Sequence, residues 1–210
     1  MNQLSGVDFL IFDLGNVIID IDYEFSMNEL RKLLPAKKHP LVQQFFPSKF
    51  HKDYEKGLIT SSQFRDAVRE LYQENWTDAQ IDYVWNSLLR ELPQERLDLV
   101  ARLREEFGTG VLSNTNEIHI LKMNEILQEK AGIPSMHVFC DHVFLSHEMG
   151  LAKPDEAIYK AVIEQIGIPA SKVLFFDDLP ANLEGAKRVG LKTFHIHHPK
   201  ALIEFFSDVQ

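Results

Sequence analysis

Val7-Asp-Phe-Leu-Ile-Phe-Asp13 is a short, almost continuous apolar run that closes on a carboxylate, with Gly15 two residues later. A strand with one wet face alternates apolar and polar residues, whereas a continuous run suits a strand covered on both faces, as in a parallel sheet. The later part of the chain repeats this grammar. Gly110-Val-Leu-Ser-Asn114, Val143-Phe-Leu-Ser146, Val173-Leu-Phe-Phe-Asp-Asp178 and Lys192-Thr-Phe-His-Ile196 are further strand candidates, most of them separated by helical stretches. Leu97, Val100, Leu103 and Phe107 recur at helical spacing and stop at Gly108. Ile158, Val162, Ile163 and Ile166 do so after Pro154 and stop at Gly167, and a short helix is expected over 181–189 before Gly190.

Alternating strands and helices imply an α/β fold, a Rossmann-like parallel sheet flanked by helices. Between the first strand and Pro93 the pattern changes. Thr60-Ser-Ser-Gln63 and Thr77-Asp-Ala-Gln80 match the capping box that opens a helix, and about four helices fit between Asp20 and Leu92. The aromatics of this stretch (Phe25, Phe45, Phe46, Phe50, Tyr54, Phe64, Tyr72, Trp76, Tyr83 and Trp85) read as packing residues of those helices. The expected organisation is a catalytic core of residues 1–19 and 93–210 with a helical cap, 20–92, inserted after strand one. There it would cover that strand's carboxyl end.

The 210 residues are 45% hydrophobic and 25% charged, enough for a sizeable core. With 22 Lys and Arg against 31 Asp and Glu, the net charge is −9, which repels nucleic acid and anionic membranes and favours a small-molecule partner. A phosphorylated ligand would need a local cation and donors to reverse that field. A single cysteine, Cys140, cannot form an internal disulfide and reads as a small core residue. The beginning of the sequence lacks a secretion signal and no apolar run reaches membrane length, so a cytoplasmic location is expected. Oligomeric state is not legible.

Ligands of open parallel sheets bind outside the carboxyl ends of the strands. Strand one ends Phe12-Asp-Leu-Gly-Asn-Val17, the next Leu112-Ser-Asn-Thr115, and the penultimate Phe175-Phe-Asp-Asp178. Asp13, Asp177 and Asp178 would thus share one crevice, an arrangement that calls for a hard divalent cation, and Mg2+ fits. Lys153, in Gly150-Leu-Ala-Lys-Pro154, precedes a helix and could neutralise a phosphate whose oxygens Ser113 and backbone N–H groups also meet. His195, His197 and His198 lack ligand partners at metal spacing and read as strand-end residues.

These residues resemble the four motifs of the haloacid dehalogenase superfamily, in order and across nearly the whole chain: Asp13, then Ser113-Asn114, then Lys153-Pro154, then Asp177-Asp178 with Asn182. The run Phe12-Asp-Leu-Gly-Asn-Val-Ile-Ile-Asp-Ile-Asp22 further resembles the bacterial α-D-glucose-1-phosphate phosphatase branch. The resemblance implies a Mg2+-dependent phosphatase forming a phospho-aspartate on Asp13. It makes Asp13, the Gly15 carbonyl, Asp178 and Asp177 the metal group, Ser113, Asn114 and Lys153 the phosphate-binding group, and Asn16 and Asn182 supporting residues. The inserted helices would close over substrate, with His51, Tyr54 and Trp85 as specificity candidates.

One departure from the family pattern matters. Most of its phosphatases carry a second aspartate two residues after the nucleophile, as general acid and then base, and Gly15 stands there. Such proton transfer contributes roughly 10²–10⁴-fold, most for poor leaving groups, so the sequence favours a sugar phosphate with an activated leaving group, such as a hexose 1-phosphate. Asp20 or Asp22 could supply the proton if the chain folded back. Two other functions compete: a metal-independent 2-haloacid dehalogenase, and a catalytically impaired protein that binds phosphate or a partner.

Overall fold

The computed structural model of the chain describes residues 4–207. Five strands, β1 (Phe9–Phe12), β2 (Gly108–Ser113), β3 (His142–Leu145), β4 (Val173–Asp177) and β5 (Lys192–His195), form one sheet in the order β3-β2-β1-β4-β5. Every pairing is parallel, with β1 central. Each expected strand is present, and the α/β class follows. After β3 the chain returns to the other side of β1, so the order reverses between β1 and β4. A crevice opens at such a switch point.

The apolar run of β1 is explained by its two covered faces. Leu10 and Phe12 join Val111, Leu174 and Phe176 on one side, and Phe9 and Ile11 join Leu112, Phe144 and Phe175 on the other. Among the described residues eleven α-helices accompany the strands. Those of the first half are α1 (Tyr23–Leu33), α2 (Lys49–Glu55), α3 (Ser61–Tyr72), α4 (Asp78–Asn86) and α5 (Gln94–Leu103). The remainder are α6 (Glu117–Ala131), α7 (Met136–Phe139), α8 (Ser146–Met149), α9 (Glu156–Ile166), α10 (Pro180–Arg188) and α11 (Ala201–Ser207). Helices α5, α6, α7 and α11 bury side chains in the first cluster, and α9 and α10 in the second. Among the described residues no helix is long and apolar enough to cross a membrane.

Helices α1 to α4, with a 3-10 stretch at Ala36–Gln44, build a third apolar cluster around Phe45, Tyr54, Phe64, Tyr72 and Trp85. Both capping boxes form. Gln63 N donates to Thr60 Oγ1 at 3.3 Å while Thr60 N donates to Gln63 Oε1 at 2.8 Å, and Thr77 and Gln80 repeat the exchange at 3.2 and 2.9 Å. Tyr83 departs from the expected packing role, since 59% of its surface stays exposed on the outer side of α4.

The two segments leading into and out of this helical module pair with each other. Asp20 N donates to Glu91 O and Arg90 N to Asp20 O, both at 2.8 Å, and Asp22 N donates to Leu88 O at 3.0 Å. Beneath them the buried Arg96 guanidinium donates to Asp20 Oδ1 (2.8 Å), Ile18 O (3.3 Å) and Pro199 O (2.9 Å). The module also seats on the sheet side. Trp85 Nε1 donates to Asn116 Oδ1 at 3.0 Å, Ile118 N donates to the Tyr54 hydroxyl at 3.2 Å, and Ile118 itself packs in the module's cluster. Gly57, with φ of +66°, approaches so closely that a Cβ there would lie 2.0 Å from the His147 carbonyl oxygen.

Candidate active site

The strand ends of β1 and β4 bring Asp13, Asp177 and Asp178 together, with one ligand oxygen from each within 4.8 Å of the others. Among the described residues this is the one group of His, Cys, Asp and Glu whose atoms could share a metal ion. Burial, and to a lesser degree the charges of Asp177 and Asp178, push the Asp13 carboxyl up to about 7, while Lys153 pulls the other way. Burial likewise raises Asp178. Two carboxyls whose ionisation is opposed by burial and by neighbouring carboxylates form a donor set that a hard, oxygen-preferring cation suits.

Lys153 lies wholly inside this cluster. Its Nζ is 2.8 Å from Asp13 Oδ1 and 2.7 Å from Asp177 Oδ2, and the two carboxylates keep the ammonium charged against its burial. The sequence places it there through Asn114. Lys153 N donates to Asn114 Oδ1 and Asn114 Nδ2 donates to Lys153 O, both at 2.9 Å. Asn114 was expected among the phosphate-binding groups. It lines the same cavity as Ser113 and Lys153, and its amide is engaged on both sides by the Lys153 backbone, which orients the lysine. Ser113 is buried at the same rim, and its hydroxyl makes only a 3.5 Å bond to the Asn114 carbonyl, leaving it available to a ligand.

Asp177 has no exposed surface and is fully engaged. Leu179 N donates to Oδ1 at 2.8 Å, and Asn182 Nδ2 lies 3.0 Å from both oxygens. It therefore fixes Lys153 and the start of α10 more than it faces a ligand. Asp178 is held by Asn16 Nδ2 at 2.9 Å. Asn16 adopts a left-handed φ of 57°, which asparagine tolerates and which lets its side chain cross from the β1 turn to β4. His195 Nε2 donates to the Asp178 carbonyl at 3.0 Å and His198 pairs with Glu204 at 3.2 Å, consistent with strand-end roles for these histidines.

Asp13, Ser113, Lys153, Asp178 and Asn182 line a cavity of about 250 Å³, below the 300–1,000 Å³ common for drug-sized ligands, so a small occupant fits best. Gly15 lines it as well, but a Cβ there would meet Ile21 Cδ1 at 3.0 Å. Even a first side-chain carbon at this position would crowd the end of Ile21. Neither expected substitute takes over: Asp20 is held by Arg96, and Asp22 caps α1 by accepting from Phe25 N at 2.9 Å. The far wall belongs to the helical module and includes Tyr23, His51 and Glu55. Tyr54 and Trp85, candidates from the sequence for substrate contact, are 2% and 0% exposed and serve as packing. Glu55 and Tyr23 escaped sequence reading because nothing local distinguishes a helix residue facing a cleft from one facing solvent.

The model of the haloacid dehalogenase-like hydrolases matches residues 7–190, most of the chain and all of these strand ends. The chain belongs to that family. Its sequence is 26% identical over 185 residues to the D-ribitol-5-phosphate phosphatase of Bacteroides thetaiotaomicron, covering 88% of this chain and 89% of that one. It is 31% identical over 206 residues to the phosphatase MT3486 of Mycobacterium tuberculosis, covering 90% and 87%. Among solved structures, a HAD family enzyme of Bacteroides thetaiotaomicron in complex with magnesium and inorganic phosphate superposes with a TM-score of 0.79 at 34% identity, over 90% of this hydrolase and 93% of that chain. One L-2-haloacid dehalogenase structure shares the fold of the hydrolase at 22% identity and a TM-score of 0.68.

Proposed function

We propose that this hydrolase is a Mg2+-dependent phosphatase of small sugar phosphates that works through a phospho-aspartate on Asp13. The observation that carries the reading is the buried ammonium of Lys153 set between two carboxylates at 2.8 and 2.7 Å, beside a third. Asp13, the Gly15 carbonyl and Asp178 would hold Mg2+, with Asp177 behind them. When bound, the cation neutralises the carboxylates and the developing charge on the phosphoryl oxygens. The relatives named above as phosphatases, one acting on a sugar-alcohol phosphate, support the same reading.

The remaining chemistry lies with the chain's own residues. Asp13 attacks phosphorus while the ester P–O bond breaks. Lys153 and Ser113 hold the non-bridging oxygens, Asn114 and Asp177 keep Lys153 in place, and the helices α1 to α4 act as a cap that limits water. The acidic cluster opposes the dehalogenase alternative, which needs no cation. Within the sugar phosphates, Gly15 favours a hexose 1-phosphate, whose leaving group needs less protonation, unless another group supplies the proton. A panel of hexose 1-phosphates, sugar 6-phosphates, pentose 5-phosphates, nucleotides and acyl phosphates, assayed with Mg2+ and with EDTA, tests the proposal. Release of phosphate that requires Mg2+ and vanishes in Asp13→Asn is expected. No release from any ester would overturn it.

A further inference from the structure

The departing oxygen of an ester still needs a proton, and the cap wall holds a group suited to give it. His51 and Glu55 lie one turn apart on α2, and both line the cavity of Asp13, Ser113, Lys153 and Asp178. His51 Nε2 is 3.2 Å from Glu55 Oε1, and His51 Nδ1 donates to the Phe46 carbonyl. With a carbonyl on Nδ1 and a carboxylate on Nε2, both ring nitrogens carry hydrogen, so the pair is an imidazolium and a carboxylate sharing one mobile proton. Burial opposes the charge on His51, but the Glu55 hydrogen bond and charge, with the Phe46 carbonyl, outweigh it and hold the imidazole above its ordinary value.

The other titratable groups facing the pair are Lys52 on α2, which opposes the His51 charge, His119 on α6, which burial keeps neutral, and Tyr23 on α1. Burial, then Glu55, Asp13 and Asp178 in that order, push the Tyr23 hydroxyl up to about 12, so one phenol feels the cap carboxylate and both site aspartates. Among the described residues the Glu55 carboxylate has no bond but that to His51, and its side chain is 26% exposed against 13% for the imidazole. The ring is fixed edge-on to Trp85 with centroids 5.0 Å apart. The end of α2 is fixed too: Ser146 Oγ donates to Glu55 O at 2.5 Å, next to the close approach of Gly57 to His147.

Resting on the phosphatase reading, we propose that Glu55 is the general acid and base that Gly15 leaves missing, and that His51 positions it and holds its proton. Substrates then extend to primary alkyl phosphates of sugars and polyols, which a site without an acid would turn over poorly. In the first step Asp13 bonds to phosphorus, the P–O bond to the leaving group breaks, and the proton of the pair passes through Glu55 to that oxygen, leaving neutral imidazole and carboxylate. In the second step a water oxygen bonds to phosphorus and one water proton returns through Glu55 to the pair. The bond to Asp13 breaks and inorganic phosphate leaves.

The test compares p-nitrophenyl phosphate, which needs no acid, with ribose 5-phosphate, in wild type, Glu55→Gln and His51→Asn, all with Mg2+ and with melting temperatures recorded. Wild type should hydrolyse both. Glu55→Gln should lose roughly 10²–10⁴-fold in kcat on ribose 5-phosphate, while still giving a rapid burst of nitrophenolate with phosphoenzyme accumulating. His51→Asn should keep part of the activity and shift the alkaline limb of the pH profile, which a packing role would not move. Equal loss on both leaving groups in the first-turnover rate of leaving-group release, or a change in KM alone, would overturn the proposal. If a variant fails to fold, the wild type decides: ribose 5-phosphate slower than p-nitrophenyl phosphate by more than roughly 10³-fold means that no acid acts. Wild type inert toward every ester would instead sink the phosphatase reading itself.

Discussion

The cavity has two walls made in different ways. On the sheet side, Asp13, Asp177 and Lys153 are buried charges that neutralise one another at 2.7 and 2.8 Å, each placed by the end of a strand or by a loop that a neighbouring amide staples down. On the cap side, Tyr23, His51 and Glu55 are more open polar groups on two helices, brought over the crevice by contacts far from them. The sheet wall depends on charge balance in a low-dielectric interior, where removing one partner strands the others. The cap wall depends on docking, on Trp85 against Asn116 and His119 and on α2 against Ser146. Damage to the first should therefore appear in chemistry and stability together, and damage to the second in chemistry while the core stays intact.

The sharpest way to break this contrast is Asp13→Asn. Turnover should fall by about 10⁴-fold or more, with loss of acid-stable phosphate labelling of the protein, because the proposed nucleophile is gone. Next comes Lys153→Met, which leaves Asp13 and Asp177 buried without their cation and should lower stability by about 3–5 kcal/mol in urea unfolding. Added Mg2+ should raise the melting temperature of this variant more than that of wild type. A variant as stable as wild type without the metal would show that the sheet wall is not held by charge balance.

The seam between the walls carries its own titration. His119 stacks on Trp85 with centroids 4.8 Å apart, donates from Nε2 to the Trp85 carbonyl at 3.0 Å, and accepts at Nδ1 from Asn116. Burial lowers its pKa from 6.5 to about 4. The unfolded imidazole gains its proton near the ordinary value and the folded one only near 4, so stability should fall as pH drops through that window. The loss should reach at most about 3 kcal/mol, measured by urea unfolding at successive pH values. The pH slope over this range should flatten in His119→Gln. The smallest effect belongs to Gly15→Ala, whose Cβ meets the movable end of Ile21 at 3.0 Å. A loss of about 1 kcal/mol is expected, relieved by a simultaneous Ile21→Val.

Much of the sheet wall was legible before any coordinates. A strand covered on both faces has to be continuously apolar, and the first polar residue after it has to lie at the sheet's rim, so Val7 to Asp13 and Val173 to Asp178 declare both strand and site. Capping boxes at Thr60 and Thr77 are equally local, since the donors they satisfy lie within the same turn. The roles of Asn114 and Asp177 were less legible. An amide at a strand end can serve a ligand or a loop, and only the position of the Lys153 backbone shows that this one, while lining the cavity, holds the loop.

The cap wall shows where local reasoning ends. His51, Tyr54 and Trp85 are alike as specificity candidates in the sequence and Glu55 goes unmarked, yet Tyr54 and Trp85 are core while His51 and Glu55 line the cavity of Asp13. Which side of α2 meets the crevice is set by the pairing of Asp20 and Asp22 with Leu88, Arg90 and Glu91, by Arg96 beneath them, and by the glycine at 57 that lets the chain meet His147. Those partners are distant in sequence, and no periodicity within α2 encodes them. The sequence by itself determined the strands and the rim position of Asp13, the proposed nucleophile, because backbone burial and strand-end polarity are local constraints. Tertiary structure alone decided that Ile21 crowds Gly15 beside Asp13 and that Glu55 lines the same cavity, because both depend on how two separately packed layers meet.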